Sequence, residues 1–112
     1  IPTGSGIPHS IWKRNYIGIY RANLLLEKME GIDASDAFKK RAIAECKFLR
    51  AYFHFNQVRF FENVIMMTAT IKGPSEYSQP QSKPEDVYNQ IALDLVCMII
   101  GMACVVLKPA LQ

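Results

Sequence analysis

The chain is 112 residues long, half of them hydrophobic and 21% charged, with a formal net charge of +3. That length suits one domain or part of one, with enough apolar content to build a core rather than stay disordered. The charge is too small and too dispersed to mark a nucleic-acid binder. The longest apolar run, residues 95–107, falls short of the roughly 18 residues that a membrane span needs. The three cysteines, Cys46, Cys97 and Cys104, have no metal-site spacing with histidine, so neither a metal nor a cofactor is expected. The chain has no initiator methionine and no signal peptide, and reads as a mature product or an internal fragment.

Residues 1–9 hold two prolines and two glycines and predict an irregular start, with Ser10 as N-cap. Helical periodicity then runs over about 11–30. Trp12, Tyr16, Ile19, Asn23 and Leu26 share one face, and Tyr20, Leu24, Leu25 and Met29 widen it. Gly18 weakens this helix by about 1 kcal/mol relative to alanine, and invites a close neighbour. Gly31 is placed to end it in a left-handed conformation.

A second helix is expected over 36–61, capped by Asp33 or Ser35 and free of proline and glycine. The short link makes the two helices an antiparallel hairpin. Phe38, Ala42, Cys46, Leu49, Phe53 and Phe60 form an apolar stripe, which predicts that Leu49 is core. Lys40, Lys47, Arg50, His54 and Gln57 form a polar stripe expected in solvent. Phe48, Tyr52 and Phe55 make a third, aromatic line. The basic run Lys39, Lys40 and Arg41 reads as a solvated face.

Residues 64–70 (VIMMTAT) are a brief strand or a buried extended segment, and 71–81 a loop. Ser82 and Glu85 have the spacing of a capping box for a third helix over about 83–107, which Lys108 and Pro109 should end. Its second half is apolar all round and needs cover.

No phosphate loop, dinucleotide fingerprint, HExxH or GxSxG motif occurs, so no enzyme is expected. His54 reads as a surface histidine. Glu45 reads as an ion-pair partner of Arg41 or Arg21. Arg50 reads as a structural pair or a surface charge. Asn23, on the apolar face, needs hydrogen-bond partners if buried. Trp12 is the one candidate ligand contact, because its flat ring can stack on a sugar; its alternative role is packing.

Three stretches together resemble the SusD/RagB family of nutrient-binding outer-membrane lipoproteins of Bacteroidetes. The first runs W-x3-Y-x2-I-x-RAN-x2-LE from Trp12 to Glu27. The second is AECKFLRAYFHFNQVRFF, residues 44–61. The third is SKPEDVYNQIALDL, residues 82–95. The resemblance implies an all-α body of tetratricopeptide-like antiparallel helix pairs, of which this chain, as one helical domain, is a fragment. It implies a non-catalytic glycan- or nutrient-binding component, held at the cell-surface face of the outer membrane by a lipid anchor outside this chain. The implied partners are an oligosaccharide or other nutrient and a TonB-dependent transporter of the SusC type. It makes Glu45, Phe48, Leu49, Arg50 and Ala51 the packing and pairing hub of the scaffold, with Arg21 and Asn23 as further structural residues, and assigns no ligand-binding residue. The chain departs from the family at FFENVIMM, where a Phe-Gly-Asp/Glu-Val-Pro-Leu turn is usual, and in its apolar tail. A helical protein-interaction module without a sugar role is the alternative.

Overall fold

The computed structural model describes residues 7–61 and 63–111, with side-chain surroundings for 8–61 and 63–101. Three helices dominate: α1 at Ile7–Lys28, α2 at Asp36–Phe61 and α3 at Pro84–Leu111. Short 3-10 turns lie at Met29–Gly31 and Pro74–Glu76. Among the described residues there is no strand, only a lone antiparallel bridge between Val64 and Ser82. The class is all-α.

Several boundaries differ from the sequence pattern for local reasons. α1 begins at Ile7, ahead of Ser10, because Pro8 falls in the first turn, where its missing N–H is not needed. The expected irregular residues 1–6 lie outside the described residues. α1 closes through the 3-10 turn, with Ile32 N–H donating to the Met29 carbonyl at 3.4 Å. Gly31 is not left-handed, and nothing crowds it. α2 starts as its cap predicts, since Ser35 Oγ accepts the Phe38 N–H at 3.2 Å. Ser82 does not cap α3: its Oγ accepts the Met66 N–H at 3.1 Å, so no capping box forms with Glu85. α3 continues past Lys108 and Pro109 to Leu111, because a proline removes one backbone donor without always ending a helix. The side chains of the expected apolar stretch beyond Gly101, Cys104 included, lie outside the described ones.

Cross-helix pairs give the directions. Trp12 meets Phe61, Asn15 meets Gln57, Gly18 meets Phe53 and Asn23 meets Arg50. One number rises as the other falls, so α1 and α2 run antiparallel. Arg50 with Asp94 and Ala44 with Gly101 show the same for α2 and α3. Two glycines permit close approach. A Cβ on Gly18 would sit 2.5–2.7 Å from the Phe53 ring, and one on Gly101 would touch Ala44 at 3.4 Å.

α2 is central. It packs on both α1 and α3, which scarcely meet one another. The extended segment 64–70 fills the space between them. Its side chains alternate, as in a strand. Val64 and Met66 turn to the core with Ala51, Val58, Val87 and Ile91, while Ile65, Met67 and Ala69 turn the other way.

This arrangement turns the expected faces of α2 around over most of their length, while Cys46 of the apolar stripe stays buried and Lys40 of the polar stripe stays exposed. Ala44, Arg50, Ala51, His54, Gln57 and Val58 are buried, and His54 and Gln57 are both 0% exposed. Leu49, expected in the core, is 46% exposed, and Phe38, Phe48, Tyr52, Phe55 and Phe60 are exposed with it. The cause is the extended segment. It brings unpaired backbone N–H and C=O groups into the interior, and each needs a partner there. The polar stripe of α2 meets that demand, as described next.

Candidate ligand groove

Six side chains, three from α1, two from α2 and Ser82 just ahead of α3, grip the backbone of residues 64–70. The Tyr16 hydroxyl donates to the Ile65 carbonyl and accepts the Ile65 N–H, both at 2.9 Å. Ser82 Oγ accepts from Met66 N–H, as above. His54 Nε2 accepts the Met67 N–H at 3.2 Å, and Asn23 Nδ2 donates to the Met67 carbonyl at 3.0 Å. Arg50 reaches the Thr68 carbonyl at 3.4 Å, and Glu27 accepts the Thr70 N–H at 2.9 Å. Side chains thus take the place of a neighbouring strand.

Arg50 joins the three helices. Its Nε and second terminal nitrogen donate to Asp94 Oδ2 and Oδ1 at 2.8 and 2.6 Å, and its other terminal nitrogen donates to Asn23 Oδ1 at 3.0 Å. The pair is closed to solvent, with side-chain exposures of 8% and 2%. Gln90 adds a further bond to Asp94 Oδ1 at 3.2 Å. Both charges are satisfied by one another, which is a structural arrangement rather than a reactive one.

His54 lies beside this pair. Burial, reinforced by the Arg50 cation and opposed by the Asp94 carboxylate, lowers its pKa to about 4. It is therefore neutral at pH 7, with the proton on Nδ1 and the lone pair of Nε2 facing Met67. Nδ1 lies near the Arg50 backbone but makes no well-aligned hydrogen bond. Gln57 completes the polar line, accepting from Asn15 Nδ2 at 3.0 Å and donating to the Trp12 carbonyl at 3.2 Å.

On the far side of the extended segment from the core lies a groove of about 550 Å³. One bank is the face of α1 carrying Trp12, Tyr16, Ile19, Tyr20 and Asn23. Ile65, Met67 and Ala69 form the floor, and Ile71, Tyr77 and Gln79 the opposite bank. Trp12 is wedged edge-on between Tyr16 and Phe61, with ring centres 4.8 and 5.0 Å away. It is partly buried against the core, yet it still lines the groove. Burial pushes the Tyr16 phenol up, outweighing its bonds to Ile65 and Gln57.

The far bank is fastened at one point. Glu27 accepts from Thr70 N–H, from Thr70 Oγ1 at 2.7 Å and from Lys72 Nζ at 2.7 Å. These partners, Lys72 first, hold its carboxyl down at about 2. Lys72 N–H then donates to Glu76 at 2.7 Å, and Gln79 Nε2 donates to the Glu76 carbonyl at 2.7 Å.

The residues singled out from sequence fall in different places. Asn23 and Arg50 meet in the buried network. Glu45 pairs with Arg41 at 3.1 Å on the surface of its own helix. It does not pair with Arg21: the antiparallel register sets residue 21 opposite about 52, two turns from Glu45, and Arg21 is exposed. Leu49 and Glu45 line a shallow hollow between α2 and α3 with Phe48 and Met98. Asn15, His54, Gln57 and Asp94 were not anticipated as interior polar groups, nor Tyr77 and Gln79 as groove residues. Asp94 had a signal, since a lone acid entering an apolar helix calls for a buried partner. Cys46 is buried, and its thiol is pushed up by burial and by Glu45, which keeps it unreactive. Among the described residues no cluster could hold a metal ion, and no helix is long and apolar enough to cross a membrane.

Residues 4–100 match the SusD-like family model, described as starch-binding and associating with the outer membrane. The chain belongs to this SusD-like family. Its fold is similar to that of a laminarin-binding SusD-like protein, with a TM-score of 0.79 and 41% identity over 82% of this chain and 20% of that one. It is also similar to surface glycan-binding protein A from Bacteroides uniformis, with a TM-score of 0.75 and 28% identity over 83% of this chain and 20% of the other. A third relative, solved with a xylogluco-oligosaccharide, gives a TM-score of 0.69 and 26% identity over 81% of this chain and 18% of its own. The chain thus spans about a fifth of the length of these solved relatives. No curated protein matches it by sequence.

Proposed function

We propose that the chain is part of a non-catalytic glycan-binding protein on the outer face of the outer membrane, which passes captured oligosaccharide to a TonB-dependent transporter of the SusC type. The observation that carries this is the family match over residues 4–100, joined to 41% identity with a protein that binds laminarin. The interior agrees with a binding scaffold. Its strongest charge pair, Arg50 and Asp94, is closed off and used on itself, and His54 serves as a fixed acceptor for the Met67 amide.

Calorimetric titration of the full-length parent protein with laminari-, malto- and xylogluco-oligosaccharides tests the reading. Saturable heat with at least one of them, and no shortening of the sugar afterwards, is expected. No heat across the panel overturns it. A helical protein-binding module without a sugar role is the second reading, favoured by the exposed line Phe48, Tyr52, Phe55 and Phe60 on α2. The same titration separates the two.

A further inference from the structure

We infer that the groove between α1 and residues 65–79 is itself a sugar subsite, in which a hexose ring lies over the apolar floor and stacks against Tyr20 and Tyr77. This rests on the glycan-binding reading above and gives it a location.

The first support is how the polar groups are distributed. The groove's deeper polar atoms are already engaged within the protein: the Tyr16 hydroxyl with Ile65, the Asn23 amide with Met67 and Arg50, and Thr70 with Glu27 and Lys72. The floor between them is Ile65, Met67 and Ala69. Such a floor offers contact area without competing for hydroxyl groups. A hexose has the matching shape, with C–H groups on one face and hydroxyls around its edge. Its apolar face can settle on the floor while its hydroxyls turn toward the rim, where Tyr20 and Tyr77 are exposed to water.

The second support is the rim. Tyr20 is 52% exposed on one bank and Tyr77 is 70% exposed on the other. Neither hydroxyl makes a hydrogen bond among the described residues. Exposed tyrosines with free hydroxyls combine an apolar plate with a polar handle. Gln79 is held by its Nε2 to Glu76, which leaves its carbonyl oxygen to accept from a sugar hydroxyl. The volume of about 550 Å³ lies within the range of about 300–1,000 Å³ common for small-ligand clefts. The far bank is pinned by Glu27, so the two tyrosines are presented on a fixed frame.

Trp12 makes the inference testable, because it is the chain's single tryptophan and lines the groove. The 112-residue chain is titrated with laminarihexaose, maltohexaose and a xylogluco-oligosaccharide, following tryptophan emission and calorimetric heat together. Circular dichroism of each variant checks that it is folded. A sugar that binds is expected to shift Trp12 emission with the same midpoint as the heat. Tyr20→Ala and Tyr77→Ala should each weaken binding about tenfold or more, while Tyr77→Phe keeps the stacking plate and loses less. Heat that persists with unchanged affinity in both alanine variants and a silent Trp12 overturns the subsite and leaves the glycan reading standing. Absence of heat with every sugar overturns the subsite, and the same silence in the full-length parent protein overturns the glycan reading as well.

Discussion

The two faces of α2 contrast in a way that hydrophobicity alone does not anticipate. The inner face carries Arg50, His54 and Gln57 and is buried; the outer face carries Phe48, Leu49, Tyr52, Phe55 and Phe60 and is exposed. On the outer face, Arg59 lies over Phe55 and Phe60 with its guanidinium carbon 5.2 and 4.9 Å from the ring centres. The difference teaches that burial follows need as well as apolarity. An irregular segment inside a helical protein requires donors and acceptors, so the helix turns its polar side toward it.

The contrast is broken most severely by removing a charge from the inner face. Asp94→Ala strands the Arg50 cation in the interior and should cost about 3–5 kcal/mol, read by chemical denaturation. Acid tests the same face. The folded-state pKa of His54, about 4, lies below the usual value near 6.5. Between these values the unfolded chain binds the proton and the folded one does not. Stability from this group is complete above about pH 6.5 and is lost as pH falls toward 4, by at most about 3 kcal/mol. Denaturation midpoints across that window should fall in the parent and stay flatter in His54→Gln.

The interface between α1 and α2 gives an intermediate effect. Gly18→Ala gains about 1 kcal/mol of helix propensity but drives a methyl group into the Phe53 ring. Overpacking of this kind costs about 1–3 kcal/mol. Thermal denaturation should show a net loss that Phe53→Leu relieves. The smallest effect belongs to the outer face. Leu49→Ala should stay below about 1 kcal/mol, because half of the side chain is already in water. A loss as large as that of Asp94→Ala would restore Leu49 to the core and undo the comparison.

The helices were legible where local chemistry decides them. α2 begins at Ser35's cap and runs unbroken because nothing within it interrupts helical dihedrals. Its orientation was not legible. The polar and aromatic stripes share one period, and the partners that decide between them are Asn23, Met67 and Asp94, distant in the chain. The groove was legible on its α1 bank, where Trp12, Tyr16, Ile19 and Asn23 share helical spacing. Tyr77 and Gln79 come from an aperiodic loop, placed by Glu27 some fifty residues earlier, and no local pattern marks them.

The Tyr16 hydroxyl bonds both the N–H and the C=O of Ile65, and its companions treat the following residues alike. Every one of these bonds to residues 65–68 is on the main chain. The course of residues 65–69 is therefore held without their groove-facing side chains, while Met66 packs on the core. Ile65, Met67 and Ala69 can be exchanged for other residues while the backbone beneath stays put. A scaffold held in this manner separates the path of the segment from the surface it presents to the groove.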